Sequence, residues 1–129
     1  MSTRLPIVYI AGIYSGDNVI EILRNIREGI KLGERVFGTG YGAPFIPWLD
    51  WQLEMFGDHT TEDYYRYSLS FLHVADVMLV RREMSEASKG TQNEIALAKE
   101  LRIPVYYDDE FDELIETLII IHAGNPKVG

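Results

Sequence analysis

Cysteine is absent from the 129 residues, which removes disulfides, a thiolate nucleophile and any Cys-based zinc site from consideration. Histidine is scarce: His59, His73 and His122 stand apart without metal-ligand spacing, so solvated or singly hydrogen-bonded roles are expected and neither metal nor cofactor enters the reading. Positive charge is also short, with 12 Lys and Arg against 20 Asp and Glu; a net charge of −8 argues against a nucleic-acid polymer as partner. No apolar run approaches the ~20 residues of a membrane span. The opening Met-Ser-Thr-Arg-Leu-Pro lacks the apolar core of a signal peptide, so no membrane partner is expected and a cytoplasmic, soluble chain is the default. Neither G-x-G-x-x-G nor a Walker pattern occurs, and there is no internal repeat or low-complexity run.

What the chain has is a strand feeding a helix at its centre. Ala75 to Val80 reads as a buried strand, and Ser88-Lys89-Gly90-Thr91-Gln92-Asn93-Glu94 opens a segment with apolar residues at helical spacing. Glu94 shares a face with Leu97, Ala98 and Leu101, so its carboxylate lies on the stripe that packs toward the sheet. Two readings are open: a capping box in which Glu94 folds back onto the Thr91 N–H, or a functional carboxylate at the core edge.

In chain order, Leu5 to Ala11 is a continuous apolar run suited to a strand buried on both faces. The loop Gly12-Ile13-Tyr14-Ser15-Gly16-Asp17-Asn18 follows, and its backbone N–H groups suit an anion or sugar hydroxyls. A helix with the stripe Val19, Leu23, Ile26 and Ile30 comes next and is expected to fade between Gly33 and Gly38. Ala43 to Pro47 reads as a short edge strand, because Pro44 and Pro47 limit ladder bonding. Trp48 to Phe56 is dense in aromatics with polar groups between them, as a pocket for a planar base would be, or as core or subunit-contact residues would be. Thr61 to His73 forms a helix capped by Thr60 or Thr61, with Tyr65, Leu69 and Leu72 as its buried stripe and Ser68 beside them. Ile103 to Tyr107 is a further strand; a last helix buries Phe111, Leu114, Ile115, Leu118 and Ile119.

Strands alternating with helices imply one α/β domain, residues 1–129, built as a doubly wound, Rossmann- or flavodoxin-like parallel sheet of four to five strands with helices on both faces. In such sheets ligands bind beyond the carboxyl ends of the strands. The loop after the first strand, the aromatic segment after the second and the Ser88 to Glu94 turn after the third all emerge at that end. Their convergence favours the functional reading of Glu94.

The combination of Val8-Tyr9-Ile10-Ala11-Gly12 with a small-residue loop, Ala75-Asp76-Val77, Ser88-x-Gly90-x-x-x-Glu94 and Ile103-Pro104-Val105 resembles the nucleoside 2-deoxyribosyltransferase superfamily, which includes nucleoside 5′-monophosphate N-glycosidases. The resemblance spans about residues 5 to 107. It implies that Glu94 is the nucleophile at the anomeric carbon and that Tyr9 orients it. Asp50 and Gln52 would contact the base, and Ser88 and Gly90 the sugar 5′ end or its phosphate. Gly12 and Tyr14, in the first loop, belong to the same substrate site. Two positions depart from the pattern. Ser68 stands where many members carry an aspartate that positions the sugar or protonates the base, and Tyr14 stands where the monophosphate hydrolases often carry an arginine. The implied function is cleavage or transfer at the N-glycosidic bond of a nucleoside or nucleotide; the alternative is a nucleotide-binding or sensory protein without chemistry. A homodimer or higher homo-oligomer is expected from the aromatic density of Trp48 to Phe56 with Tyr64, Tyr65 and Tyr67.

Overall fold

The computed structural model describes residues 4–47, 53 and 55–124. Four strands, β1 Ile7–Ala11, β2 Ala43–Phe45, β3 Val77–Val80 and β4 Val105–Tyr107, form one sheet in the order β2-β1-β3-β4. All three pairings are parallel, with Val8 opposite Pro44 on one side and Val77 on the other. Four helices, α1 Val19–Thr39, α2 Thr61–Leu72, α3 Lys89–Glu100 and α4 Phe111–Gly124, complete a doubly wound α/β fold.

The alternation of side chains along each strand divides the core in two. Val8, Ile10, Val77 and Leu79 face α1 and α4, where Ile26, Val36, Leu114 and Leu118 cover them. Tyr9, Ala11, Met78 and Val80 face the other way and are covered by Leu72, Ile95 and Ala98 from α2 and α3. The two central strands are therefore buried on both faces, as their unbroken apolar runs require. The proline-bearing β2 lies at the edge, as expected.

Helix ends follow local chemistry. Asn18 caps α1 by accepting the Glu21 N–H at 2.9 Å, while the Glu21 carboxylate accepts the Asp17 N–H at 2.7 Å. The helix does not fade at Gly33; it runs to Thr39 and stops at Gly40, whose left-handed backbone (φ 77°) lets its N–H close onto the Phe37 carbonyl. Thr60 and Asp63 exchange bonds of 3.0 Å in a capping box at the start of α2. Asp76 secures the entry to the sheet by accepting the Ile7 N–H at 2.7 Å and an Arg4 N–H at 3.1 Å.

Of the stripe expected on α1, Ile26 alone lies on the face that packs. Its buried residues are Ile26, Gly29, Leu32, Gly33 and Val36, whereas Val19, Leu23 and Ile30 are exposed. Gly33 explains the choice: a Cβ there would stand 2.5 Å from Ile46 Cδ1, so the helix approaches the end of β2 along its small residues. In α4, Leu114 and Leu118 are buried with Phe111 and Ile115 against them, but Ile119 is exposed.

Candidate active site

The crossing from β1 to α1 goes to one face of the sheet and that from β3 to α3 to the other, so a crevice opens where the carboxyl ends of β1 and β3 part. A cavity of about 500 Å3 occupies it. Gly12 and Tyr14 come to it from the loop after β1, Ser68 from α2, and Ser88, Gly90 and Glu94 from α3 and its cap. Six of the positions expected from the sequence to form the site thus line one cavity. Asp50 and Gln52, with Trp48 and Trp51, lie outside the described residues.

Glu94 is 8% exposed, in the second turn of α3. Its Oε2 accepts the hydroxyl proton of Tyr9. The capping-box reading of Glu94 is overturned by the helix start itself. Ser88, one turn earlier, is the N-cap, accepting the Thr91 N–H at 3.2 Å and the Thr91 hydroxyl at 2.8 Å. With the cap satisfied there, the Glu94 carboxylate is committed to the cavity wall.

Tyr9 stands behind that carboxylate, fully buried. Burial, then the Glu94 charge and hydrogen bond, push its phenol far above the ordinary range, and a bond to Ser68 opposes them weakly. Tyr9 therefore keeps its proton and donates it as a neutral phenol. Its ring is fixed in turn by Phe45, at 5.6 Å between centroids, which stacks on Phe71 of α2 at 4.2 Å. The sheet thus holds Tyr9, and Tyr9 holds Glu94.

Arg81 and Arg82, which follow β3, are engaged away from this cavity. Arg81 bonds Asn25 at 3.0 Å and Glu83 at 2.9 Å in a separate cavity, and Arg82 pairs with Asp109 while lying over the Tyr107 ring. Among the described residues the basic side chain lining the site is Lys89, next to the Ser88 cap.

Tyr64 and Tyr65 line the same cavity and were not singled out for it. Tyr65 reads in the sequence as part of the buried stripe of α2; the helical offset of three from Ser68 was the available signal. Burial, then the Glu94 charge, raises the Tyr65 phenol above its ordinary value.

Among the described residues no three metal-ligating side chains gather, and no helix is long and apolar enough to cross a membrane. A carboxylate held by a buried phenol, in the wall of a cavity with a helix N-terminus at one end, can attack an electrophilic carbon or hold hydroxyl groups. Neither a scan against protein-family models nor a search of curated proteins returned a match for this chain.

Proposed function

We propose that this protein cleaves or transfers the N-glycosidic bond of a nucleoside or nucleoside 5′-monophosphate, with Glu94 as nucleophile and Tyr9 as the residue that orients it. The observation that carries the reading is the Tyr9–Glu94 pair, a buried phenol directing a carboxylate into the wall of the cavity. The resemblance of Ser88-x-Gly90-x-x-x-Glu94 and Val8-Tyr9-Ile10-Ala11-Gly12 to the nucleoside 2-deoxyribosyltransferase superfamily supports the same reading. In this chemistry the carboxylate oxygen bonds the anomeric carbon as the base departs, and water or a second base then displaces it, splitting one difficult step into two.

A second reading, nucleotide binding without chemistry, rests on Ser68. This buried serine occupies the place of the superfamily's aspartate, and an alcohol is a poor acid for a departing base. Incubation with a panel of ribo- and deoxyribonucleosides and their 5′-monophosphates, followed by chromatography for free base, separates the two. Release from any member supports the glycosidic reading; binding with no release from all of them supports the other.

A further inference from the structure

The loop between β1 and α1 has a cavity on either side. Gly12, Ile13, Tyr14 and Ser15 line the candidate site, while Ile13 and Ser15 also line a second cavity of about 480 Å3, with Asn25 and Arg81 in its wall. Asn25, a half-buried residue of α1, joins the loop to the sheet. Its Nδ2 donates to the Ser15 carbonyl at 2.9 Å, and its Oδ1 accepts from Arg81 Nη1 at 3.0 Å. Arg81 is itself firmly placed. It is 8% exposed, its N–H donates to the Ala11 carbonyl at 2.8 Å, and its Nη2 donates to Glu83 at 2.9 Å. A guanidinium offers donors only, so the amide oxygen of Asn25 must face Arg81 and the amide nitrogen must face the loop. Arg81 thereby decides which end of the Asn25 amide meets Ser15. Gly16 adds closeness at the next position, since a Cβ there would stand 2.6 Å from Glu21 Cβ.

We infer that Asn25 and Arg81 are positioning residues for the candidate site, holding the β1–α1 loop, and with it Gly12 and Tyr14, where the substrate meets it. The inference rests on the glycosidic reading above. Neither residue is among the described residues lining the candidate cavity, so both act through the loop. The Tyr9–Glu94 pair belongs to β1 and α3 and does not depend on the Ser15 bond. Loosening the loop therefore weakens substrate binding and leaves the chemical step in place, which reads as a raised KM at an unchanged kcat.

Asn25→Asp is the sharpest test. It keeps the side chain's size and the oxygen that faces Arg81, and it adds a charge that Arg81 favours, but it sets a second acceptor against the Ser15 carbonyl. A role confined to stability predicts no harm from this change. The positioning role predicts a urea midpoint near the native one, amide exchange of residues 13–17 faster by about tenfold, and a KM for the best-cleaved nucleoside higher by about tenfold with kcat within about threefold. Arg81→Met is expected to raise KM similarly, and Arg81→Lys, which restores a charged donor, to recover part of the loss. Native loop exchange or native KM in Asn25→Asp, a loss confined to kcat, or a Lys variant no better than Met overturns the positioning role. A native chain that releases base from no nucleoside or nucleotide overturns the glycosidic reading itself, and the exchange measurement then still reports on the loop.

Discussion

Tyr9 and Glu94 are 85 positions apart in the chain, yet the hydroxyl of one donates to the carboxylate of the other inside the protein. The pairing separates chemistry from stability. Glu94→Gln keeps an acceptor for Tyr9 and is expected to unfold near the native midpoint in urea. Glu94→Ala leaves a buried phenol without this acceptor and is expected to lose about 1–3 kcal/mol. Both variants are expected to lose roughly 10³-fold or more in base release. A folded Glu94→Gln protein that turns over near the native rate removes Glu94 as nucleophile.

The Ser88 cap and Lys89 form the end of the cavity suited to an anion. Although the net charge is −8, a distant field is screened over about 8 Å at physiological salt. Calorimetric titration of the Glu94→Gln variant is therefore expected to give tighter binding for a nucleoside 5′-monophosphate than for the matching nucleoside. Ser88→Ala should narrow that gap and lower stability by about 1 kcal/mol through the lost cap. Equal or weaker binding of the monophosphate leaves Ser88 as a helix cap and nothing more.

Legibility of this fold in the sequence tracked the size of the side chains that pack. The strands were found because β1 and β3 are buried on both faces and so are written as unbroken apolar runs. Of the stripe read on α1, Ile26 is buried but Val19, Leu23 and Ile30 are exposed, because Gly33, which allows close approach to Ile46, carries no hydropathy signal. Glu94 was legible from its offset to Ala98, and Ser88 lines the same cavity. Which of Ser88 and Thr91 starts α3 was not legible, since both are good caps and the choice depends on backbone geometry between them. Tyr65 was hidden by its own amphipathic character, for a tyrosine on a core-facing stripe looks like packing until the opposite wall is known.

Arg102 closes α3 with a left-handed backbone (φ 61°), while the following Ile103 N–H reaches back to Ala98 O at 2.8 Å. That conformation costs a residue with a Cβ roughly 1–2 kcal/mol, and glycine avoids it at an entropic cost of about 0.5–1 kcal/mol. Arg102→Gly is expected to raise the urea midpoint slightly. The opposite holds for Gly42→Ala, whose new Cβ would stand 2.9 Å from Val36 Cγ1 and 3.0 Å from Val8 Cγ2; overpacking there is expected to cost about 1–3 kcal/mol.

Asp63 and Asp109 are exposed carboxyls held below their ordinary value, the first by its bonds to Thr60 and the second by its bonds to Arg82. A depressed carboxyl contributes stability above its unfolded value, near pH 4, and loses it as pH falls through the lower folded value. Asp63→Asn with Asp109→Asn is expected to flatten the decline of melting temperature below pH 4 relative to the parent. A parallel decline for both proteins contradicts the assignment.

Val19, Leu23, Ile30 and Phe37 leave an apolar line on the outer side of α1, with Val19 67% and Phe37 65% exposed. With the tyrosines of α2 it motivates a test of self-association. Light scattering at micromolar concentration is expected to give a dimer or larger, and Phe37→Glu to shift the mass toward the monomer. A monomeric mass for the native chain discards the idea.

The sheet order β2-β1-β3-β4 also bears on how the chain is made. The first strand synthesised becomes an inner strand, and one of its two neighbours, β3, begins only at Val77. Until then β1 can pair with β2 alone, and one row of its backbone donors and acceptors stays open to any other extended chain. Every strand pairing spans a helix, so contacts local in sequence cannot close the sheet early. On the ribosome the N-terminal half is a template awaiting its partner, and Pro44 in β2 leaves the opposite edge of that template poorly suited to accept a stray strand.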